Sequence, residues 1–499
     1  MIEMTLREIA DVVGGELHDV PDPQALVTGS VEFDSRRIGS GDLFLALPGA
    51  NSDGHDYAAA AVAAGAVAVL AARPVGVPAI VVAPASGSVP ATSVALSADA
   101  DGSGAAVLAA LAELARASTE RLAARTGLTV VGVTGSSGKT STKDLLAAVL
   151  SPLGPVVAPP GSFNNELGHP WTALRAGLDT KFLALELSAR GPGHIAALAR
   201  IAPPRIGVVL NVGTAHLGEF GSREAIAQTK GELVEALPAD GLAVLNADDP
   251  NVAAMASRTE ARVVLVGLSG DADIRATDVV TDEQARARFT LHARGESVPV
   301  RLAVHGEHQV GNALSAAAVA LECGADLATV AAALSGATAA SARRMDVRTT
   351  AEGVTVINDS YNANPDSVKA ALKALVTLAK AGEEPRRSWA VLGEMGELGD
   401  TSVIEHDAIG RLAVRLDVDR LIVVGTGRPS RGMHQGAVME GSWGEESILV
   451  PDIDAAIALL DDEIAAGDVV LVKASKAVGL WAVAEHLTRA GEGSTEAAR

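Results

Sequence analysis

A chain of 499 residues is too long for one ordinary core, and a prior of roughly 100 to 200 residues per domain predicts about three. Its 40 Lys and Arg against 61 Asp and Glu give a formal net charge of −21, which argues against broad binding to nucleic acid or an anionic membrane surface. One cysteine, Cys323, excludes an intrachain disulfide and fits a reducing cytoplasm, and its Ala-rich surroundings predict a buried, inert thiol.

Hydrophobic residues make up 48% of the chain but aromatic ones only 2%, so the cores must be aliphatic. Thr5 and Glu8 frame a capping box on a first helix, and no export signal is visible. Strand-like runs follow at 43–47, 66–70 and 79–82 with one helix between them. The apolar stretch 58–72 is shorter than the ~20 residues of a membrane span and reads as a packed helix and strand. Turn and linker chemistry over 97–104 precedes a helical run at 105–125, and the first boundary falls there.

From residue 128 onward, apolar runs at 130–133, 182–187, 206–211 and 242–246 alternate with helical periods, as in a parallel sheet. The runs 288–293 and 298–304 predict an antiparallel hairpin appended to it, followed by helices at 310–322 and 327–334. A second alternating series has strands at 354–358, 389–392, 421–424 and 469–472, and the last ten or so residues have a disordered composition. The expected fold class is therefore α/β in three domains. A small N-terminal α/β domain (1–100) precedes a central P-loop ATPase-type parallel sheet (101–340) and a C-terminal Rossmann-like doubly wound domain (341–499).

Gly135, Ser136, Ser137, Gly138, Lys139, Thr140 and Ser141 stand between an apolar strand and a helical run, where a phosphate loop must stand. Glycines let backbone amides face phosphate, the helix N-terminus adds its positive end, Lys139 adds a charge, and the Thr140 hydroxyl can ligate Mg²⁺. Val133 replaces the first glycine of the longer spacing, so this is the shorter Gly-x-x-Gly-Lys-Thr form. The competing reading is a Gly/Ser turn with a solvated lysine.

Glu186 ends an apolar strand and suits a Mg²⁺ ligand, or is a plain edge carboxylate. His216 follows the strand that ends at Asn211; alone, such a histidine is more often structural. Lys230 alone would be a solvated helix charge. The segment 306–312 opens a helix, and 358–366 is rich in Asn and Asp, fitting either a plain loop or ribose and peptide recognition.

Taken together, these segments resemble the Mur ligases of peptidoglycan synthesis. The likeness runs from about residue 30 to 480. It includes Asp34-Ser35-Arg36, 41–44, Asp53-Gly54-His55, the phosphate loop, 163–168, Glu186, 211–216, 230–232 and 246–248. It continues through 308–312, Arg344-Met345, 359–365, 392–399, His406 and 473–475. Family branches that add a single amino acid share Asp34-Ser35-Arg36 but carry a Tyr-Ala-His-type loop and an Asn-Pro-Arg motif. Here 360–364 reads Ser-Tyr-Asn-Ala-Asn, which favours the branch that joins D-alanyl-D-alanine to UDP-N-acetylmuramoyl-tripeptide.

The resemblance implies ATP and Mg²⁺ as cofactors, these two small-molecule substrates as partners, no nucleic acid, no membrane insertion, and a cytoplasmic monomer. By the same resemblance Thr140, Glu186 and His216 would hold magnesium, with Lys230 joining them if carbamylated. Asn312 would contact adenine, Arg344 the γ-phosphate and Asp359 the ribose. Ser35 and Arg36 would face the uridine nucleotide, Asn165, Ser188 and Arg190 the muramyl-peptide, and Asn362 and Asn364 the acceptor. The rival readings are a ligase that adds a single amino acid, either of the family's single-amino-acid branch or of the folate type, against which Asp34-Ser35-Arg36 argues, and a non-catalytic ATP-binding subunit.

Overall fold

The computed structural model describes residues 1–49, 52–84, 99, 101–213, 217–382, 384–441 and 446–496, with 490–496 as backbone. Three large sheets carry the described residues, one in each third of the chain. The capping box is formed: the Thr5 hydroxyl accepts from the Glu8 amide, the Glu8 carboxylate accepts from the Thr5 amide, and helix Leu6–Val13 follows. In the N-terminal sheet the strands lie in the order Glu16–His18, Ala79–Val81, Ala68–Ala71, Leu43–Leu45, Val31–Glu32. Helix Ala58–Ala64 falls between two of these strands, so the apolar stretch is the packed helix and strand that its length predicts.

Residues 97, 98 and 100 of the linker 97–104 lie outside the described residues, and Asp99 accepts from the amides of Gly104 and Ala105 at the start of helix Ser103–Thr126. One face of this long helix, with Val107, Leu111, Leu114 and Leu122, is buried, while Glu113, Arg116 and Glu120 pair with one another on the other. One apolar cluster joins Leu43, Leu45 and Leu70 of the first sheet, Leu111 and Leu114 of the helix, and Val130, Leu183 and Leu185 of the second.

The central sheet has nine strands. Its order is Glu296–His305, Arg286–Ala293, Ile274–Thr281, Arg262–Gly267, Leu242–Asn246, Ile206–Val209, Thr129–Thr134, Phe182–Glu186, Val156–Val157. The strands from Val156–Val157 to Ile274–Thr281 pair in parallel, and the last two add an antiparallel hairpin. Thr129–Thr134 is flanked by Phe182–Glu186 on one side and Ile206–Val209 on the other, so the strand order reverses at its end. A crevice at the carboxyl edge is the expected ligand position in such a sheet. Gly132 in this strand admits close packing, since a Cβ there would meet Leu233 of helix Arg223–Glu235 at 3.1 Å.

The C-terminal sheet runs Asp346–Thr349, Thr355–Asn358, Val469–Lys473, Ser388–Leu392, Arg420–Val424, Ser447–Val450, parallel except for its first strand. Its two faces have separate apolar clusters, around Leu372 and Leu375 on one side and Trp389 and Leu460 on the other; the first also takes in Ala285, from the turn before strand Arg286–Ala293 of the central sheet.

Two expectations need correction. Helix Trp481–Glu496 continues through the stretch whose composition reads as disordered. Cys323 is half-buried rather than buried, although burial still pushes its thiol up to about 11, which keeps it inert.

Candidate functional site

The phosphate loop leaves strand Thr129–Thr134 and enters helix Lys139–Leu150, whose N-cap, Gly138, has φ 83°. Both the left-handed backbone and the crowding require glycine there, because a Cβ would lie 2.6 Å from the Asn312 Oδ1. Asn211, at the end of the neighbouring strand, fixes the loop from below. Its Oδ1 accepts from the Ser137 amide at 3.0 Å, its amide donates to the Ser137 carbonyl at 3.2 Å, and its own carbonyl accepts from the Ser136 amide at 3.1 Å. The Lys139 ammonium donates to the Gly135 carbonyl at 2.7 Å. Burial lowers its proton affinity, Glu186 opposes that shift, and Arg344 adds to it.

Thr140 is the meeting point of the site. Its hydroxyl donates to Glu186 Oε2 at 3.3 Å and accepts from Arg344 Nη2 at 3.2 Å. Glu186 is fully buried. Its Oε2 also accepts from Asn164 at 3.1 Å and Ser162 at 3.3 Å, while its Oε1 has no hydrogen-bond partner. A buried carboxylate oxygen left open in this way is prepared for a cation. Arg344 stacks on the Tyr361 ring at 4.1 Å and leaves its Nε–H without a partner. It arrives from a linker in which Arg343 and Met345 both have positive φ, 60° and 49°.

The C-terminal loops close the other wall. The Lys473 ammonium, buried at the end of a strand, donates to Asp359 Oδ2 at 2.5 Å and to the Asn362 carbonyl at 2.9 Å, and Asp359 Oδ1 accepts from the Met345 amide. Burial lowers the proton affinity of Lys473, and Asp359 opposes that shift. Removing one member of such a pair strands a buried charge. Asp359→Ala is therefore expected to cost about 3 kcal/mol, read as a lower urea midpoint for the C-terminal sheet.

Asn364 caps helix Pro365–Ala379 and donates to the Ser136 carbonyl at 3.4 Å, Arg190 pairs with Glu397 at 3.2 Å, and Ser188 donates to the Asn164 carbonyl. Ser136 to Ser141, Asn165, Ser188, Arg190, Asn312, Arg344, Asp359, Asn362 and Asn364 thus line one cavity of about 1720 Å³ between the sheets.

Other sequence-stated residues stand elsewhere. Arg36 is exposed and forks onto Asp34 at 2.8 Å, and neither it nor Ser35 lines the cavity, although Phe33 does. Lys230 is buried on helix Arg223–Glu235, with burial first and Lys139 second pushing its proton affinity well down. His216 lies outside the described residues. Among the described residues, no three His, Cys, Asp or Glu side chains cluster as a metal site. Sequence reasoning missed the roles of Asn164, Asn211, Tyr361 and Lys473. Asn211 and Lys473 at strand ends carry the signal that could have found them, a polar residue at the edge where ligands bind.

Three family models match the chain. The model described as the Mur ligase family, catalytic domain, covers residues 29–119, the Mur ligase middle domain 133–320, and the Mur ligase, glutamate ligase domain, 343–476. The UDP-N-acetylmuramoyl-tripeptide–D-alanyl-D-alanine ligase of Mycobacterium tuberculosis is 63% identical, with 98% of each chain aligned. A crystal structure of MurF from Acinetobacter baumannii superposes with a TM-score of 0.81 at 29% identity, covering 98% of this chain and 99% of that one. MurF from Thermotoga maritima in complex with ADP gives 0.75 at 29% identity, covering 94% and 99%. The geometry of the cleft and these likenesses agree: the chain belongs to the Mur ligase family, in its UDP-N-acetylmuramoyl-tripeptide–D-alanyl-D-alanine ligase branch.

Proposed function

We propose that the chain joins D-alanyl-D-alanine to UDP-N-acetylmuramoyl-tripeptide, cleaving ATP to ADP and phosphate and giving the pentapeptide precursor of peptidoglycan. The observation that carries this reading is the junction at Thr140, where the phosphate loop and Arg344 line a cavity large enough for several substrates and the open carboxylate of Glu186 lies buried behind them.

A carboxylate is a poor electrophile. Phosphorylation of the tripeptide's terminal carboxylate by the γ-phosphoryl group gives an acyl phosphate, and the free amine of the dipeptide then attacks its carbonyl and expels phosphate. Lys139 and the unpartnered Nε–H of Arg344 offset the charge gathered on the transferring group. Asn312 receives the adenine and Asp359 the ribose, so the nucleotide spans the phosphate loop and the C-terminal wall.

Thr140 and Glu186 are the described side chains that fit Mg²⁺, with Lys230 as a carbamate and His216 completing the set in this reading. One carboxylate suffices, since Mg²⁺ keeps waters and takes substrate phosphates as its remaining ligands. When bound, the ion neutralises phosphate charge. A lysine driven toward its neutral form is also the form that reacts with CO₂. Ser35 and Arg36 are assigned to the uridine nucleotide, Asn165, Ser188 and Arg190 to the muramyl-peptide, and Asn362 and Asn364 to the dipeptide.

In this reading unit 1–100 takes the uridine nucleotide end, unit 101–340 the phosphates of ATP and the muramyl-peptide, and unit 341–499 the ribose and the dipeptide. The charge of −21 supports a protein that handles small molecules rather than nucleic acid, and in this reading it acts as a cytoplasmic monomer. Among the described residues, no helix is long and apolar enough to cross a membrane. With ATP, Mg²⁺ and UDP-N-acetylmuramoyl-tripeptide supplied, phosphate release should require D-alanyl-D-alanine. Faster release with any single amino acid would overturn the reading.

A further inference from the structure

Lys143 and Asp144 stand three and four residues beyond Thr140 on the same helix, so they share its face one turn deeper. Both are nearly inaccessible, they pair with each other, and no part of the chemistry above uses them. Their remaining bonds go to two separate segments. Lys143 donates to the Pro159 carbonyl at 2.9 Å, at the start of the loop whose Ser162 and Asn164 hold Glu186. Asp144 accepts from the amide and the hydroxyl of Ser341, both at 3.1 Å, and Lys143 reaches the same hydroxyl at 3.3 Å. Ser341 lies three residues before Arg344.

We propose that Lys143, Asp144 and Ser341 are positioning residues for the phosphate site. This buried cluster sets how far Arg344 and Glu186 reach toward Thr140. The inference rests on the ligase reading for the role of Arg344, but its geometry is independent of the acceptor. An ion pair is suited to the task because burial makes each lost partner expensive, so the cluster holds one arrangement. The linker needs such a fixed point. Two residues after Ser341, Arg343 is bound to the C-terminal unit instead, pairing with Glu485 at 2.9 Å and stacking on Trp481 at 4.2 Å. Arg344 is therefore placed by an anchor on each side, Ser341 to the phosphate-loop helix and Arg343 to the third sheet.

Ser341→Ala removes the hydroxyl while sparing the ion pair, and Ser341→Thr restores it. Binding of ADP and of β,γ-methylene-ATP is measured by calorimetry for the parent, both variants, Arg344→Ala, and the double variant Ser341→Ala/Arg344→Ala. Ser341→Ala should weaken the triphosphate analogue about tenfold and ADP less than about twofold, as for supporting residues behind a site. Ser341→Thr should recover most of the loss, and adding Ser341→Ala to Arg344→Ala should cost little more, because both act on one contact. Equal weakening of both nucleotides, an unchanged ratio, or full additivity would overturn the proposal. Failure of the ligase reading shows separately, as a parent chain that binds nucleotide but releases no phosphate with both substrates.

Discussion

Lys139→Ala is expected to lower turnover on the order of a thousandfold while leaving the fold intact. In the described structure the ammonium is held by the Gly135 carbonyl of its own loop, 2.7 Å away, and is surrounded by groups that make its charge costly. A phosphate arriving on the loop would give that charge a better partner, so its stabilising effect is realised during the reaction rather than in the resting chain. The fold loses one loop hydrogen bond and a buried cation, two changes of opposite sign. Lys139→Arg should fare little better, because a planar fork does not replace a compact charge in a cradle of this size. Phosphate release at saturating substrates, with a melting curve beside it, decides the matter. Near-normal release by Lys139→Ala would remove the phosphate loop from the mechanism.

Lys230→Met is expected to reduce activity by a similar factor and, unlike Lys139→Ala, to stabilise the chain in a pH-dependent way. Burial, with Lys139 as a further cause, holds the folded-state proton affinity of Lys230 well below the ordinary value of about 10.4. The unfolded chain therefore binds a proton that the folded chain releases over the window from the depressed value up to about pH 10. In that window parental stability rises with pH. Below the window both states are protonated and the full cost of the buried charge is present. The methionine variant lacks this cost, so its stability advantage should be largest at the acid end and shrink as pH approaches 10. Unfolding curves at several pH values test this, and an advantage that grew with pH would contradict it. For activity, exchange into CO₂-depleted buffer should slow the parent, and added bicarbonate should restore it. An unchanged rate would remove the carbamate from the reading.

The phosphate loop was legible because local features agree: a β-branched strand, a glycine, Gly138, where φ is positive, and a helical run beginning at Lys139. The alternating series before and after it gave both doubly wound sheets. Strand Ile274–Thr281 was not legible, since Arg275, Thr277 and Asp278 break the apolar run that marks a buried parallel strand, whereas Arg262–Gly267 does carry such a run, at 263–266, and was passed over. The partners of the site were hidden for another reason. Arg344 meets Thr140 from 204 residues away and Asn364 reaches Ser136 from 228, distances at which no periodicity carries information. Resemblance supplied a role for Arg344; for Asn211 and Tyr361 it supplied only the segments that contain them, since these residue types are as common in turns and cores as in sites.

The first and second sheets are welded through the cluster around helix Ser103–Thr126, whereas the third keeps its own two clusters and meets the second largely through polar contacts such as Arg190 with Glu397. Heating should therefore dissolve the protein in two stages. The C-terminal third would separate from a block made of the other two, and ligands that touch both would draw the two heat-absorption peaks together. Calorimetry with and without nucleotide would turn that apolar seam into a measurement of how strongly the bound nucleotide couples two otherwise independently melting bodies.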